Sequence, residues 1–335
     1  MTIINDIEID HIRFQRNLIH DAIKNNSPIE EKLHVISIIS NPCLYAKRYV
    51  LMKEFMKRME MNEENVILYI VELAYQNQPF IITNKSNPRH LQLRVKTPLW
   101  HKENMINLGV RYLLPADWKA FAWIDSDLEF DSPTWAIDTL KILNGAKDIV
   151  QVFSHCVDLD HNDMTMNIFN SAGYQYSHDK TYCNSGMNYW HPGFAWAITR
   201  KAYERIGGLY ESAILGSGDN IMLLSILGNG LKAINEKSTD SYKNSILQFQ
   251  DGIRHLRFGY TPGMIRHYFH GSKKNRKYTE RWKILLDHDY SPDIHITYNK
   301  KGIIIPTKYF STKFKSDIYD YFSQRNEDEL FTGRL

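Results

Sequence analysis

The sequence predicts an α/β protein: a mainly parallel central sheet flanked by helices, with an N-terminal helical appendage and a C-terminal hairpin and helical tail. Three observations lead there. Short β-branched apolar runs alternate with segments of helical periodicity between residues 34 and 153. The 335 residues, 43% hydrophobic and 24% charged, suffice for one large globular domain or two of ordinary size. One apolar run, Phe121 to Ile124, stops abruptly at Asp125-Ser126-Asp127, and open α/β sheets bind ligands outside the carboxyl ends of their strands.

The elements follow in order. Residues 1–32 carry Ile9, Ile12, Leu18, Ile19 and Ile23 at loosely helical spacing. "HVISIIS" (34–40) reads as a buried strand, broken by Asn41-Pro42. "YAKRYVLMKEFMKRM" (45–59) places Tyr49, Met52, Phe55 and Met56 on one helical face. "NVILYIV" (65–71), "PFIIT" (79–83) and "LQLRV" (91–95) read as strands, and "HKENMINLGVRYLL" (101–114) as a helix containing a glycine. "FAWID" (121–125) is a strand, "TWAIDTLKIL" (134–143) a helix and "DIVQVF" (148–153) a strand. Segment 155–192, rich in His, Asn, Asp, Gly and Tyr, reads as irregular, and so long a structureless stretch is usually functional. Order returns with the strand "GFAWAIT" (193–199), the helix "RKAYERI" (200–206), a loop over 208–218 and the helix "DNIMLLSIL" (219–227). "MIRHYFH" (264–270) is a late strand, and "SPDIHITYNKKGIIIPT" (291–307) a hairpin turning at Asn299 to Gly302. The expected division is an appendage over 1–32, a main domain over 33–290 and a tail over 291–335.

A formal charge of +3 is too small to argue for nucleic-acid or membrane partners. Cys43, Cys156 and Cys183 form neither a disulfide framework nor a zinc spacing. The first residues lack a signal-peptide pattern, and no run approaches the roughly 20 apolar residues of a membrane span, so a cytoplasmic location is expected.

The chemistry begins at Asp125 and Asp127. In extended chain, residues i and i+2 point the same way. Two such carboxylates make a hard, oxygen-rich half-site for Mn²⁺ or Mg²⁺, whose other ligands are typically waters and substrate phosphates. A phosphorylated ligand is therefore expected. Neither GxxxxGK[ST] nor GxGxxG occurs, so a P-loop and a dinucleotide fingerprint are both unsupported. His267 and His270, near the end of the late strand, can each supply a nitrogen ligand, and the choice between them stays open. Lys273, Lys274, Arg276 and Lys277 can neutralise a diphosphate, although a charge run is more often a solvated face. Asp219 opens a helix after a Gly-Ser-Gly loop. It can be a plain N-cap; equally, a helix N-terminus favours the ionised carboxylate, which can take a proton from an attacking hydroxyl.

These residues resemble the GT-A fold of nucleotide-sugar glycosyltransferases. "WHKENMINLGV" (100–110) is similar to a segment of the β-1,4-galactosyltransferase group, with Lys102 at the basic position and Asn107-Leu108-Gly109 at its end. "HPGFAWAITRKAYERIGGLYE" (191–211), "GSGDN" (216–220) and "MIRH" (264–267) fall where that group has its glycine strand, its acidic stretch and its metal ligand. The "HxxHGxxxxRxY" pattern from His267 and the "YFxxRxEDE" tail (321–329) look more like bacterial and large-virus family-2-type enzymes. The resemblance implies that Ser40, Asn41, Pro42, Lys102, Asp125, Ser126 and Gly193 bind the donor, with Trp190 and Trp196 shaping the sugar pocket. It implies Asp127 as direct metal ligand with His270, favoured over His267, beside it, and Asp219 as general base. The implied reaction is metal-dependent, inverting transfer of a sugar from a nucleoside-diphosphate sugar, UDP first, to a glycan or other hydroxyl acceptor. Two features depart from the pattern: Asn41-Pro42 replaces a basic nucleotide loop, and Gly218 stands where the galactosyltransferases have an acid. The same carboxylates would serve a metal-dependent phosphohydrolase or nucleotidyltransferase, and an inactive relative would bind carbohydrate alone.

Overall fold

The computed structural model describes residues 2–4, 7–9, 18–62, 64–186, 189–277 and 280–329. Alternation of apolar runs and helical segments produces, in chain order, β1 (Thr2–Ile4), β2 (Ile7–Ile9), α1 (Leu18–Asn25), β3 (Leu33–Ser40), α2 (Ala46–Asn62), β4 (Val66–Tyr75), β5 (His90–Val95), α3 (Lys102–Leu113) and β6 (Ala120–Ile124). There follow β7 (Leu128–Phe130), α4 (Trp135–Leu143), β8 (Ile149–Gln151), β9 (His155–Leu159), β10 (Thr165–Asn170), α5 (Ala172–Ser177), β11 (Ala195–Thr199), α6 (Arg200–Ile206) and α7 (Gly218–Ile226). The chain closes with α8 (Asp240–Ile253), β12 (Phe258–Tyr260), β13 (Met264–His267), α9 (Arg281–Asp287), α10 (Pro292–His295), β14 (Ile296–Tyr298), β15 (Ile304–Pro306) and α11 (Thr312–Gln324).

Seven strands pair in the order β12-β8-β11-β6-β3-β4-β5. All neighbours are parallel except β11, which runs against both β6 and β8. Strand alternation divides the core into two layers. Phe121 and Trp123 of β6 face one side with Trp196 and Ile198 of β11, where α3, α7, α8 and α11 pack. Ala120, Ala122 and Ile124 face the other, with Ala195 and Ala197, against α1, α2 and α4. This is the expected mainly parallel α/β architecture. A second sheet, β10-β9-β13-β7, stands beside the first. In it Leu128 pairs with His267, and His267 with Asp158.

Gly109 shows why a helix carries a glycine here: a Cβ would lie 3.0 Å from Ile36 Cγ2 and 3.1 Å from Val71 Cγ2, so α3 seats directly on β3 and β4. Asn107 serves docking too. Its Nδ2 donates to the Leu209 carbonyl (2.9 Å), and its Oδ1 accepts from the Leu209 N–H (2.9 Å) and the Tyr203 hydroxyl (2.9 Å).

Three local expectations fail for identifiable reasons. "PFIIT" (79–83) is not a strand: the N–H groups of Ile81 (2.7 Å) and Thr83 (2.7 Å) donate to the carboxylate of Glu72, buried on β4, rather than to a neighbouring strand. Segment 155–192 is not structureless. It holds the β9–β10 hairpin and α5, and Asp160 Oδ1 closes the hairpin turn by accepting from Asn162 N (2.8 Å) and Met164 N (3.0 Å). Of the helical stretch expected before residue 33, Leu18–Asn25 is helix, whereas Thr2–Ile4 and Ile7–Ile9 pair as an antiparallel hairpin; Ile12 lies outside the described residues. Ile19 joins the core layer of α2 and α4. Phe314, Ile318 and Phe322 of α11 join the other layer. Of the hairpin expected over 291–307, Ile296–Tyr298 and Ile304–Pro306 pair, with Asn299 N–H on the Ile303 carbonyl (3.0 Å), whereas Pro292–His295 is a turn of helix. Among the described residues no helix is long and apolar enough to cross a membrane.

Candidate metal and donor site

Reversal of β11 creates the site. Because β11 is antiparallel to β6, its entrance, Gly193-Phe194, meets the carboxyl end of β6, and the Asp125 N–H donates to the Phe194 carbonyl (3.0 Å). A cavity of about 570 Å³ opens there. Ser40, Pro42, Lys102, Asp125, Ser126, Asp127, Gly193, Asp219, His267 and His270 all line it. The separate sequence motifs therefore converge on one crevice. Asn41 does not line it; it is buried, and its side chain holds the loop, accepting from Tyr45 N (2.9 Å) and donating to Tyr45 O (2.8 Å). Trp190 and Trp196 do not line it either. Trp196 is core, stacked on Trp123 and Phe258 with its indole N–H on Pro192 O (2.8 Å). The aromatic walls are instead Trp100, Tyr182, Tyr189 and Trp282.

Asp127, His267 and His270 offer ligand atoms all within 4.8 Å of one another. Asp127 Oδ2 lies 2.9 Å from His270 Nε2 and 3.6 Å from His267 Nε2. Both histidines, rather than one of the two, face the carboxylate. Asp127 Oδ1 and His267 Nε2 are buried without hydrogen-bond partners, and a cation would satisfy both. One carboxylate and two imidazoles form a mixed donor set suited to Mn²⁺. The fit is therefore good. Asp125 points elsewhere: it pairs with Lys102. Burial would lower the Lys102 ammonium, but Asp125, then Asp219 and Glu103, outweigh it and hold it above its ordinary value.

Residues to which the sequence gave no role in the site, together with the basic run it did mark, surround this cluster. Asp158 Oδ1 lies 2.7 Å from His267 Nδ1, and its other oxygen pairs with Lys273. Glu327 sits behind His270. His191 packs against both Phe169 and Phe194, and burial pushes its imidazole down to about 3. Lys273 and Arg276 line the cavity, whereas Lys274 and Lys277 do not. Asp158 was hidden because the polar hairpin carrying it has no clean alternation.

Asp219 lies in the first turn of α7, where Ser217 is the N-cap residue, with φ of 76°. Its Oδ1 accepts from Asn220 N (2.8 Å), and a Cβ on Gly193 would stand 2.9 Å from its Oδ2. Its carboxylate thus lies against the glycine backbone at the cavity wall. At Gly218, the residue that departs from the galactosyltransferase pattern, a Cβ would land on the Glu103 carboxyl. Glu103, from the start of α3, fills that space. Its carboxyl is raised to about 8, by burial first, against the pull of Lys102.

No family model and no curated protein matches this chain. Solved structures do. The catalytic domain of Drosophila β-1,4-galactosyltransferase 7, in complex with xylobiose, is similar at 12% identity and a TM-score of 0.37, over 83% of this chain and 95% of that one. The mannosyltransferase PcManGT of Pyrobaculum calidifontis, in complex with GDP-Man and Mn²⁺, is similar at 11% identity and a TM-score of 0.41, over 95% and 82%. Residues 1–349 of S. aureus TarS are similar at 9% identity and a TM-score of 0.39, over 90% and 72%. At such identities and scores, the functional reading rests on the geometry of the site itself.

Proposed function

We propose that this chain is a metal-dependent glycosyltransferase that moves a sugar from a nucleoside-diphosphate sugar to an acceptor hydroxyl with inversion. The observation that carries this reading is the convergence in one cavity of Asp127, His267 and His270 with the cations Lys102, Lys273 and Arg276 and the carboxylate Asp219. The first three residues would hold Mn²⁺ in preference to Mg²⁺, since two of the three donors are imidazole nitrogens. When bound, such an ion supplies Lewis-acid stabilisation of a departing diphosphate. Lys273 and Arg276 add positive charge on the same side. Ser40, Pro42 and Ser126, at the ends of β3 and β6, border the nucleotide, and Lys102 orients Asp125 beside it. Gly193 keeps the wall free of side chain, so that the sugar can approach Asp219. Asp219 then takes the acceptor's proton as the new bond forms at the anomeric carbon, on the face opposite the leaving diphosphate.

Calorimetry tests the metal assignment. Wild-type protein should bind UDP or GDP only with Mn²⁺ present, and Asp127→Ala should abolish that binding. Mn²⁺-dependent binding that survives Asp127→Ala would remove the assignment.

A further inference from the structure

We infer that Glu327, in the C-terminal tail, is the positioning carboxylate of the metal centre, holding His270 with one ring nitrogen turned to the cation. The inference rests on the metal-dependent reading above and extends it to a residue 57 positions beyond His270.

Glu327 follows α11 near the end of the described chain, yet it is only 2% exposed. Its carboxylate is bound by two guanidiniums. Arg48 Nη2 donates to Oε1 (2.7 Å), Arg48 Nε meets Oε2, and Arg325 Nε donates to Oε1 (2.6 Å). Its Oε2 also faces His270 Nδ1 at 3.7 Å, while His270 Nε2 lies 2.9 Å from Asp127 Oδ2. The ring therefore lies between two carboxylates, one at each nitrogen. Arg276 Nη2, 2.7 Å from the same Nε2, is a donor and calls for a lone pair on that nitrogen. At 3.7 Å the carboxylate behind Nδ1 is an electrostatic neighbour rather than a hydrogen-bond partner; it favours the proton on that nitrogen and so presents Nε2, beside Asp127 and Arg276, to the cation.

His267 repeats the arrangement with residues from another part of the chain. Its Nδ1 meets Asp158 (2.7 Å), and its Nε2 faces Asp127 (3.6 Å). Two imidazoles, each backed by its own carboxylate, converge on one aspartate. A tail that merely needed anchoring would not require Glu327 for the purpose. The next residue, Asp328, already caps α2, accepting from Ala46 N (2.9 Å) and Lys47 N (2.9 Å), and Asn326 N–H donates to the Tyr45 hydroxyl (3.1 Å). The tail is thus pinned beside the loop after β3 independently of Glu327.

The test is Mn²⁺ titration of the full chain, with free Mn²⁺ read by electron paramagnetic resonance and folding checked by circular dichroism. Glu327→Gln keeps the size and removes the charge; its Mn²⁺ affinity should fall about 10- to 100-fold, the usual effect of losing such an outer partner. Glu327→Asp keeps the charge toward Arg48 and Arg325 but draws it back from His270, and should bind with intermediate affinity. That variant carries the test if the glutamine variant does not fold. Both variants binding Mn²⁺ within twofold of wild type would overturn the inference and leave the functional reading intact. A wild-type protein that binds no Mn²⁺ would overturn both.

Discussion

Glu103 makes the pH dependence of stability calculable. Its carboxyl is 7% exposed, packed under the first turn of α7, and raised from its ordinary 4.5 to about 8. Burial is the main cause; Lys102 opposes it, and Asp219 and Asp125 add to it. A carboxyl whose folded value exceeds its unfolded value binds its proton more tightly in the folded state. Its contribution to stability is therefore complete below about pH 4.5 and is lost as pH rises through about 8. At about 1.36 kcal/mol per pH unit, that interval corresponds to a ceiling of about 5 kcal/mol. Glu103→Gln substitutes a neutral group of the same shape and should remove this slope. Urea denaturation of both proteins at pH 5, 6, 7 and 8 measures it: wild type should lose stability relative to the variant across the series, most steeply below pH 8. Parallel stability curves for the two proteins would refute the account of a neutral buried acid at this position.

Three further outcomes follow from the same geometry. Gly218→Ala presses its Cβ on the Glu103 carboxyl, an overpacking worth about 1–3 kcal/mol; with Glu103→Ala in a double-mutant cycle the penalty should vanish, and additive effects would deny the contact. Asp219→Asn should leave Mn²⁺-dependent nucleotide binding unchanged and lower kcat by about 10²- to 10⁴-fold, as loss of a general base does; full turnover would place the base elsewhere. Trp196→Ala should cost about 3–5 kcal/mol in urea midpoint experiments while leaving the donor KM unaltered, because the indole is packed between Trp123 and Phe258 and not in the cavity.

Much of the site was legible because its parts are short and local. An apolar strand running into Asp125-Ser126-Asp127 announces both the strand and the end of it at which the carboxylates stand. His267 ends the late strand and His270 follows it three residues on, a spacing that is equally local. Other parts were hidden. The β9–β10 hairpin has no clean alternation, since Asp158 and His155 occupy strand positions that face partners rather than solvent, and it read as a loop. "PFIIT" had strand composition, but Glu72 took its N–H groups. Composition registers side-chain preference, whereas a backbone donor goes to whichever acceptor the fold places nearest.

From residue order alone came the alternating α/β architecture, the acidic strand end and the pair of histidines, since each is written within a few consecutive positions. Folding settled which of these meet. It turned both histidines toward Asp127, gave Lys102 to Asp125 and sent Trp196 into the core. It also brought Glu327 from the end of the chain to His270. Those pairings join residues up to about 140 positions apart, and their distances follow from how sheets and helices pack, which no local pattern encodes.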